Sequence, residues 1–203
     1  MYCILVTGIP ASGKSTMADY FAKELDIPAV SKDTIKEILF DDVGFVGREQ
    51  KVKLGIAAMD IMYYIAGRLM QRNQAFILEN NFEDASYDKL MEILNTYGYT
   101  AVTVRLTGDY EKIYERFAKR DRSPDRHRGH VVNDRYPELE GQPIENPTAL
   151  SLEGYLSGIE KRGYDRFAAN GPVITVDTTD FSHVDYGRIL ERVKEAAAAM
   201  VGE

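Results

Sequence analysis

The sequence predicts an α/β fold in which a five-stranded parallel sheet is covered by helices on both faces. Two observations predict it. Five short apolar runs of strand length alternate along the chain with segments whose apolar residues recur at helical spacing. The runs are continuous rather than alternating, which is typical of parallel strands that are buried on both faces. The 203 residues, of which 44% are hydrophobic and 28% charged, are expected to form one globular domain, residues 1–203.

The first half of the chain predicts two strand–helix units and one long helix. Residues 2–7 form an apolar run, and the apolar residues of 17–25 follow it at helical spacing. A short strand is predicted at 29–31, followed by a helix that contains residues 35–39. Residues 49–72 carry two apolar stripes, so we expect a helix that is covered on much of its circumference.

The second half predicts three more strands, each followed by a helix. The strands are expected at residues 75–78, 100–106 and 172–176, and their helices at 87–97, 110–117 and 189–200. Residues 121–148 lose periodicity and are rich in Arg, Asp, His, Pro and Gly. We interpret them as an insertion that forms a lid over a site, since ligands of such sheets bind at the carboxyl ends of the strands.

A nine-residue loop between the first strand and the first helix matches a phosphate-binding motif. It reads Gly8-Ile9-Pro10-Ala11-Ser12-Gly13-Lys14-Ser15-Thr16, with the spacing G-x-x-x-x-G-K-[ST]. Glycines let such a loop curl so that backbone N–H groups and the helix dipole face a phosphate chain. The predicted nucleotide-binding residues are Gly8, Ala11, Ser12, Gly13, Lys14, Ser15 and Thr16. Lys14 should contact the β- and γ-phosphates, and Ser15 should ligate Mg²⁺. No N-K-x-D guanine signature occurs, which favours ATP.

Two acids follow predicted strands on the same edge of the sheet. Asp33 follows the second strand, where a carboxylate could accept a proton from an attacking hydroxyl. Alternatively, Asp33 or Ser31 caps the next helix. Glu79 ends the third strand, where a carboxylate that organises the metal, directly or through water, is expected. Its alternative is an ordinary polar residue at a strand exit.

Five arginines lie near the start of the predicted lid. They are Arg116, Arg120, Arg122, Arg126 and Arg128. Arginines on a lid could neutralise the charge of a phosphoryl group in transfer. The alternative is a solvated charge run, in which Asp121 and Asp125 pair with them. His127 and His130 are too few for a metal site, so they are expected to contact phosphate, substrate or solvent.

Charge and cysteine content limit the classes of function. The formal net charge of −7 argues against general binding of polyanions, which requires a surplus of Lys and Arg. The sequence has no apolar run of transmembrane length and no secretory leader. Cys3 is the only cysteine, so we expect no intramolecular disulfide, and a cytoplasmic location is the interpretation it favours.

The chain resembles the small P-loop kinases that include the polynucleotide 5′-hydroxyl kinase domain, chloramphenicol phosphotransferase and zeta-toxin kinases. The resemblance is carried by Gly8-x-x-x-x-Gly13-Lys14-Ser15-Thr16, Ser31-x-Asp33-x-x-Lys36, Phe76-Ile77-Leu78-Glu79-Asn80-Asn81-Phe82, Arg116-x-x-x-Arg120-Asp121-Arg122 and Val176-Asp177-Thr178-Thr179-Asp180. It extends over nearly the whole chain and implies a three-layer P-loop NTPase fold with an Arg-rich lid.

The resemblance also implies a reaction and roles for residues. The reaction is transfer of the γ-phosphoryl group of ATP, with Mg²⁺, to a hydroxyl. Asp33 would be the base or would orient the acceptor. Lid arginines, here Arg116, Arg120 and Arg122, would clamp phosphates and nucleobase. The loop that contains Thr178 and Thr179 would border the adenine. The sequence departs from the family in having Lys36 where Arg is usual, and Glu79 where Asp is usual.

Three functions are compatible with these residues. The acidic balance and compact size favour a kinase that acts on a small hydroxyl-bearing molecule. A polynucleotide 5′-hydroxyl kinase would need a basic channel to Asp33, but the cations between residues 33 and 72 are interspersed with acids. The third is a regulatory module that binds nucleotide without turnover. For a small acceptor, we expect one end of the 49–72 helix, which carries Met59, Met62, Tyr63 and Tyr64, to border the site.

Overall fold

The main sheet of the computed structural model has five parallel strands, which confirms the predicted fold class. The structure describes residues 1–139 and 150–201, so residues 140–148 of the predicted lid lie outside it. The strands are β1 (Tyr2–Gly8), β2 (Ala29–Ser31), β4 (Ile77–Glu79), β5 (Thr100–Thr107) and β7 (Val173–Asp177). Their spatial order is β2-β4-β1-β5-β7, so β1 and its phosphate loop lie at the centre.

Strand β1 contributes to hydrophobic cores on both faces of the sheet. Cys3 and Leu5 pack in one cluster, and Ile4 and Val6 in the other, because successive side chains of a strand point to opposite faces. Ile4 is aligned with Ile77 of β4 and with Val102 of β5. This burial on both faces explains why β1 reads as a continuous apolar run.

Eight helices lie in the part of the chain that the structure describes. They are α1 (Lys14–Leu25), α2 (Lys32–Val43), α3 (Gly47–Met70), α4 (Tyr87–Tyr97), α5 (Tyr110–Asp121), α6 (Arg128–Val131), α7 (Leu152–Arg162) and α8 (Tyr186–Val201). Helix α7 was not among the predicted elements. Over residues 1–139 and 150–201, no helix is both long and apolar enough to cross a membrane.

Part of the predicted lid is packed against α2 and α3. We call residues 127–136 the docked segment. It contains α6 and β6 (Arg135–Tyr136), which pairs antiparallel with β3 (Phe45–Val46). Val132 of this segment is buried against Phe40 and Phe45. Only glycine fits at residue 129, because a Cβ there would lie 2.3 Å from the Phe40 ring.

Lys51 of α3 fastens the docked segment through its backbone. The Lys51 Nζ donates to the carbonyl oxygens of His130 and Val132, at 2.8 and 2.5 Å, and to Asn133 Oδ1 at 3.2 Å. Carbonyls at the end of a helix lack intrahelical partners, and here an ammonium satisfies two of them. The docked segment is therefore held against α2 and α3 by the Lys51 ammonium, by the β3–β6 pairing and by apolar packing.

Candidate functional site

A cleft of about 790 Å³ opens at the carboxyl edge of the sheet. It is formed by the phosphate loop, the start of α2, the exit of β4, the end of α5, the docked segment and the end of α7. Among the residues predicted for the site, the cleft brings together Ala11, Gly13, Lys14, Ser15, Thr16, Asp33, Glu79, Arg116 and Arg120. These residues are far apart in sequence. The parallel sheet brings them to its carboxyl edge, which is where ligands of such folds bind.

The phosphate loop has the curled backbone that the motif predicts. Gly8, Ala11 and Gly13 have φ angles of 134°, 64° and 90°. A Cβ on Gly8 would lie 2.0 Å from the backbone oxygen of Leu106, so only glycine fits there. Gly13 precedes the first residue of α1, so the loop leads directly into the N-terminus of a helix.

Lys14 lies buried inside this loop. Its Nζ donates to the backbone oxygen of Ile9 at 2.9 Å. Burial lowers the pKa of Lys14 to about 8, although the nearby carboxylates of Glu79 and Asp33 act in the opposite direction. The two carboxylates therefore do not compensate fully for the desolvation of the ammonium, and a bound anion would stabilise its charged form further.

Helix α7 supports the loop from outside the sheet. The Tyr155 hydroxyl donates to the backbone oxygen of Pro10 at 2.8 Å, and Ile9 packs in a cluster with Tyr155 and Ile159.

The Ser12 Oγ is buried and has no hydrogen-bond partner among the described residues. Ser12 does not line the cleft as a side chain, so its expected contribution is through its backbone N–H.

Ser15 and Glu79 supply oxygen atoms suited to a magnesium ion. Both residues line the cleft, Ser15 exposed at the start of α1 and Glu79 only 5% exposed at the end of β4. The Ser31 hydroxyl donates to Glu79 Oε2 at 2.5 Å. Burial raises the pKa of Glu79, while Lys14 acts to lower it. A hydroxyl and one carboxylate fit Mg²⁺, which commonly takes its other ligands from phosphates and water.

Asp33 lies in the first turn of α2 with its carboxylate in the cleft. The N-cap of α2 is Ser31, whose side chain makes no capping hydrogen bond, so neither residue caps the helix through its side chain. No described residue donates a hydrogen bond to the Asp33 carboxylate. Desolvation acts to raise the pKa of Asp33, but the positive charges of His130 in its protonated form and of Lys36, Lys32 and Arg126 outweigh it, so the pKa is lowered. Asp33 is therefore an ionised acceptor to which no residue of the described part of the chain donates.

Three predicted arginines differ in their placement. The guanidinium of Arg116 lies 4.1 Å from the centre of the Phe181 ring and donates to the backbone oxygen of Thr179 at 3.2 Å. Arg120 pairs with Asp121 at 3.0 Å and lines the cleft. Arg122 is exposed and is not among the cleft residues.

The loop after β7 contributes Phe181 to the cleft beside the phosphate loop. Thr178 is buried and its hydroxyl donates to the backbone oxygen of Thr107, while Thr179 Oγ1 accepts from the backbone N–H of Asp109. Neither threonine lines the cleft, but Phe181 does, and its ring covers Gly13. The motif that predicted this loop ended at residue 180, one residue before the aromatic ring.

Arg126, predicted as a lid arginine, and His130, expected to contact phosphate, substrate or solvent, both line the cleft. The sequence did not lead us to assign a role to four other cleft residues, Asn80, Glu83, Arg162 and Tyr164. Burial lowers the pKa of His130 to about 3 despite the opposing effect of Asp33, so its ring is neutral at neutral pH. Its Nε2 lies 2.8 Å from Glu37 Oε1.

Helix α3 lies behind the cleft and does not line it: Met59 Sδ is 3.9 Å from Nδ2 of the cleft residue Asn80. Met62 and Tyr63 are buried in a core cluster, and Tyr64 is 70% exposed. No residue of α3 is among the described residues that line the cleft. Part of the apolar stripes packs against α2, α4 and the sheet, but Val52, Ile56 and Ile61 are 50%, 57% and 37% exposed, so this helix is less covered than predicted.

A phosphate loop at the centre of a five-stranded parallel sheet defines a P-loop NTPase-like fold of the kinase type. The family model described as "AAA domain" matches residues 4–140, which is more than half of the chain. The chain therefore belongs to this family. Among curated proteins, none matches the chain.

Solved structures share the fold over almost the whole chain. A candidate kinase from Chloroflexus aurantiacus J-10-fl has a TM-score of 0.78 and 28% identity, covering 96% of this chain and 97% of that chain. A gluconokinase from Sinorhizobium meliloti 1021 has a TM-score of 0.53 and 15% identity, covering 99% and 97%. Kti12 from Chaetomium thermophilum, in complex with ADP-AlF3, has a TM-score of 0.56 and 17% identity, covering 96% and 98%. The last two resemble this chain in fold alone.

Proposed function

We propose that the protein is a kinase that transfers the γ-phosphoryl group of ATP to a hydroxyl of a small molecule. The observation that carries the proposal is that Asp33 and Lys14 line one cleft, with no described residue donating a hydrogen bond to the Asp33 carboxylate. A carboxylate in that position can accept a hydrogen bond from an acceptor hydroxyl that faces the phosphate loop. The similarity to a candidate kinase at 28% identity supports it.

The phosphate-binding residues have separate tasks in this proposal. Backbone N–H groups of Gly8 and of residues 11–16 would hold the phosphate chain. Lys14 would exchange its bond to the Ile9 carbonyl for phosphate oxygens, without leaving the loop. Arg120 would give up part of its pairing with Asp121 to neutralise charge on the transferring group. Arg116 and Phe181 would border the adenine.

Ser15 and Glu79 would hold Mg²⁺, Glu79 directly or through water. The ion supplies electrostatic stabilisation of the phosphate oxygens when it is bound. The Ser31 hydroxyl donates to Oε2 of Glu79, which leaves Oε1 for the ion or for one of its waters. Glu79 also lies close enough to Lys14 for each charge to favour the ionised form of the other.

Asp33 would orient the acceptor hydroxyl and receive its proton as the phosphoryl group arrives. Its lowered pKa means that it is ionised at neutral pH and accepts a hydrogen bond in the ground state. A strong base is not required before transfer, because the transition state of phosphoryl transfer is loose and the hydroxyl becomes acidic late. The position of the Asp33 carboxylate therefore matters more for phosphoryl transfer than its basicity.

The expected experiment measures ADP release and labelled phosphate transfer with a panel of hydroxyl compounds. Asp33→Asn should lower kcat by about 10²–10⁴-fold while leaving the Kd for ATP nearly unchanged. Asp42→Asn, on the exposed side of the same helix, is the matched control. Full kcat in the Asp33 variant would contradict the assigned role.

The same panel separates the alternatives. Efficient labelling of 5′-hydroxyl oligonucleotides that weakens steeply with salt would favour a polynucleotide kinase. Binding of ATP with no acceptor-dependent ADP release for any member would favour a nucleotide-binding regulatory module.

Three other expectations remain predictions. They are one domain over residues 1–203, a lid at 121–148 and a cytoplasmic location, the last of which is favoured by the unpaired, buried Cys3.

A further inference from the structure

The half of the cleft around Asp33 holds two cations that make no hydrogen bond to a carboxylate among the described residues. Lys36, one turn after Asp33 on α2, makes no ion pair among the described residues, and its Nζ lies 5.2 Å from the centre of the Phe40 ring. Arg126 lies 3.8 Å from Asp121 and 3.9 Å from Glu37, beyond hydrogen-bond distance. Both residues line the cleft.

The burial of these cations makes the missing partner significant. The Arg126 side chain is only 17% exposed, and its Nε is buried without a hydrogen-bond partner. Burial lowers the pKa of Lys36 although Asp33 acts to raise it, and burial likewise lowers the pKa of Arg126. A buried donor without an acceptor destabilises the protein, and an anion that enters the cleft would remove that cost.

Nearby acids do not fill this role. Glu37 Oε1 lies 2.8 Å from His130 Nε2, Asp121 pairs with Arg120 at 3.0 Å, and Glu83 Oε2 lies 3.7 Å from Arg162 Nη1. His130 is neutral near pH 7, so it adds no negative or positive charge beside Lys36. Glu37, Asp121 and Asp33 accept no hydrogen bond from Lys36 or Arg126 among the described residues. The donors of the two cations are therefore left for another anion.

We propose that the phosphoryl acceptor carries an anionic group, a carboxylate or a phosphate monoester, and that Lys36 and Arg126 bind it beside Asp33. This deepens the proposed function and rests on it. Residues three apart on a helix lie on the same face, so Asp33 and Lys36 can contact neighbouring groups of one small molecule. Asp33 repels the anionic end and accepts the hydroxyl, while Lys36 and Arg126 attract the anionic end. The acceptor is thereby bound in a single orientation, with its hydroxyl at Asp33 and its anionic group at the two cations.

Transfer from ATP is measured first, with acceptor sets that compare a neutral polyol or sugar with its carboxylate and its phosphate ester. Two sets are glycerol, glycerate and glycerol 3-phosphate, and glucose, gluconate and glucose 6-phosphate. The anionic members should have a kcat/KM at least about tenfold above their neutral parent, and comparison of acids with esters identifies the preferred anion. Neutral parents that react as well as their anionic derivatives would overturn the proposal.

Variants assign the effect to the two cations. Lys36→Met and Arg126→Gln should each raise the KM for the anionic acceptor by about tenfold or more, with the KM for ATP unchanged. The exposed Lys53 and Arg188 provide matched controls, Lys53→Met and Arg188→Gln, which should behave as the wild type. An equal rise in the KM for ATP would instead place these cations on the nucleotide and contradict the assignment.

A binding measurement tests the anion site apart from catalysis. The protein is saturated with Mg²⁺ and a non-hydrolysable ATP analogue, so that the phosphate loop is occupied. Inorganic phosphate or acetate, at constant ionic strength against chloride, should raise the Tm of the wild type and of both controls but not of the Lys36 and Arg126 variants. No stabilisation of the wild type would overturn the proposal. Stabilisation without transfer to any acceptor would keep the anion site and refute the kinase activity.

Discussion

Nucleotide binding should weaken above about pH 8, because the ammonium of Lys14 is held in a buried loop. Burial lowers the pKa of Lys14 to about 8 in the free protein, against the opposing effect of Glu79 and Asp33. Bound phosphates add negative charge next to the ammonium and raise its pKa again. Below that pKa the free protein already carries the charge. Above it, binding must be accompanied by uptake of a proton, so affinity falls as pH rises.

The size of the effect follows from the pKa of Lys14. Each pH unit above the pKa of the free protein should weaken binding about tenfold, until the pKa of the bound state is reached. Between about pH 7.5 and about pH 9.5, a free-state pKa of about 8 gives a rise in Kd of roughly 25-fold, or about 2 kcal/mol.

The assay is titration of a fluorescent ATP analogue across this pH range at fixed Mg²⁺ and ionic strength. The terminal phosphate of the nucleotide titrates at lower pH, so it contributes little to the slope. Lys14→Arg keeps its charge throughout the range and should show a flat profile at a lower affinity. A flat profile for the wild type would refute the argument that burial sets the charge of Lys14.

Two further predictions concern the supports of the site. Tyr155→Phe leaves the Pro10 carbonyl without its 2.8 Å donor, so the free energy of unfolding should fall by about 1 kcal/mol in a denaturant titration, and the KM for ATP should rise. Lys51→Met removes the ammonium that binds the carbonyl oxygens of His130 and Val132, so hydrogen exchange over residues 128–136 should accelerate about tenfold while exchange in β1 stays unchanged. Unaltered exchange in the docked segment would show that the β3–β6 pairing holds it alone.

The main sheet could be predicted because burial on both faces leaves a local trace. β1 is continuous in apolar residues, and this pattern is visible without any knowledge of its neighbours. Helix α7 also had a trace, in Tyr155, Leu156 and Ile159 after the capping residue Ser151, but it follows a stretch without periodicity. The strands β3 and β6 have two residues each, so no periodicity can reveal them.

The site could be predicted where its chemistry is local to a motif. The loop residues around Lys14 share one motif, and Asp33 and Glu79 follow strands directly. Arg126 could not be preferred over Arg122, because the choice depends on a turn after α5 in which the Ser123 hydroxyl contacts Asp125. That turn leaves Arg122 in solvent and directs Arg126 to the cleft. The roles of the remaining lid arginines stay predictions.

The two halves of the cleft are built from different stretches of chain. The half that would hold ATP comes from the β1–α1 loop and the loop after β7, with Arg116 between them, whereas the half around Lys36 comes from α2, the segment near Arg126 and the end of α7. Substitutions in the second set need not disturb Lys14, Ser15 or Phe181. Acceptor preference can therefore diverge among descendants of one ancestral chain, and can be altered by design, while ATP remains the phosphoryl donor.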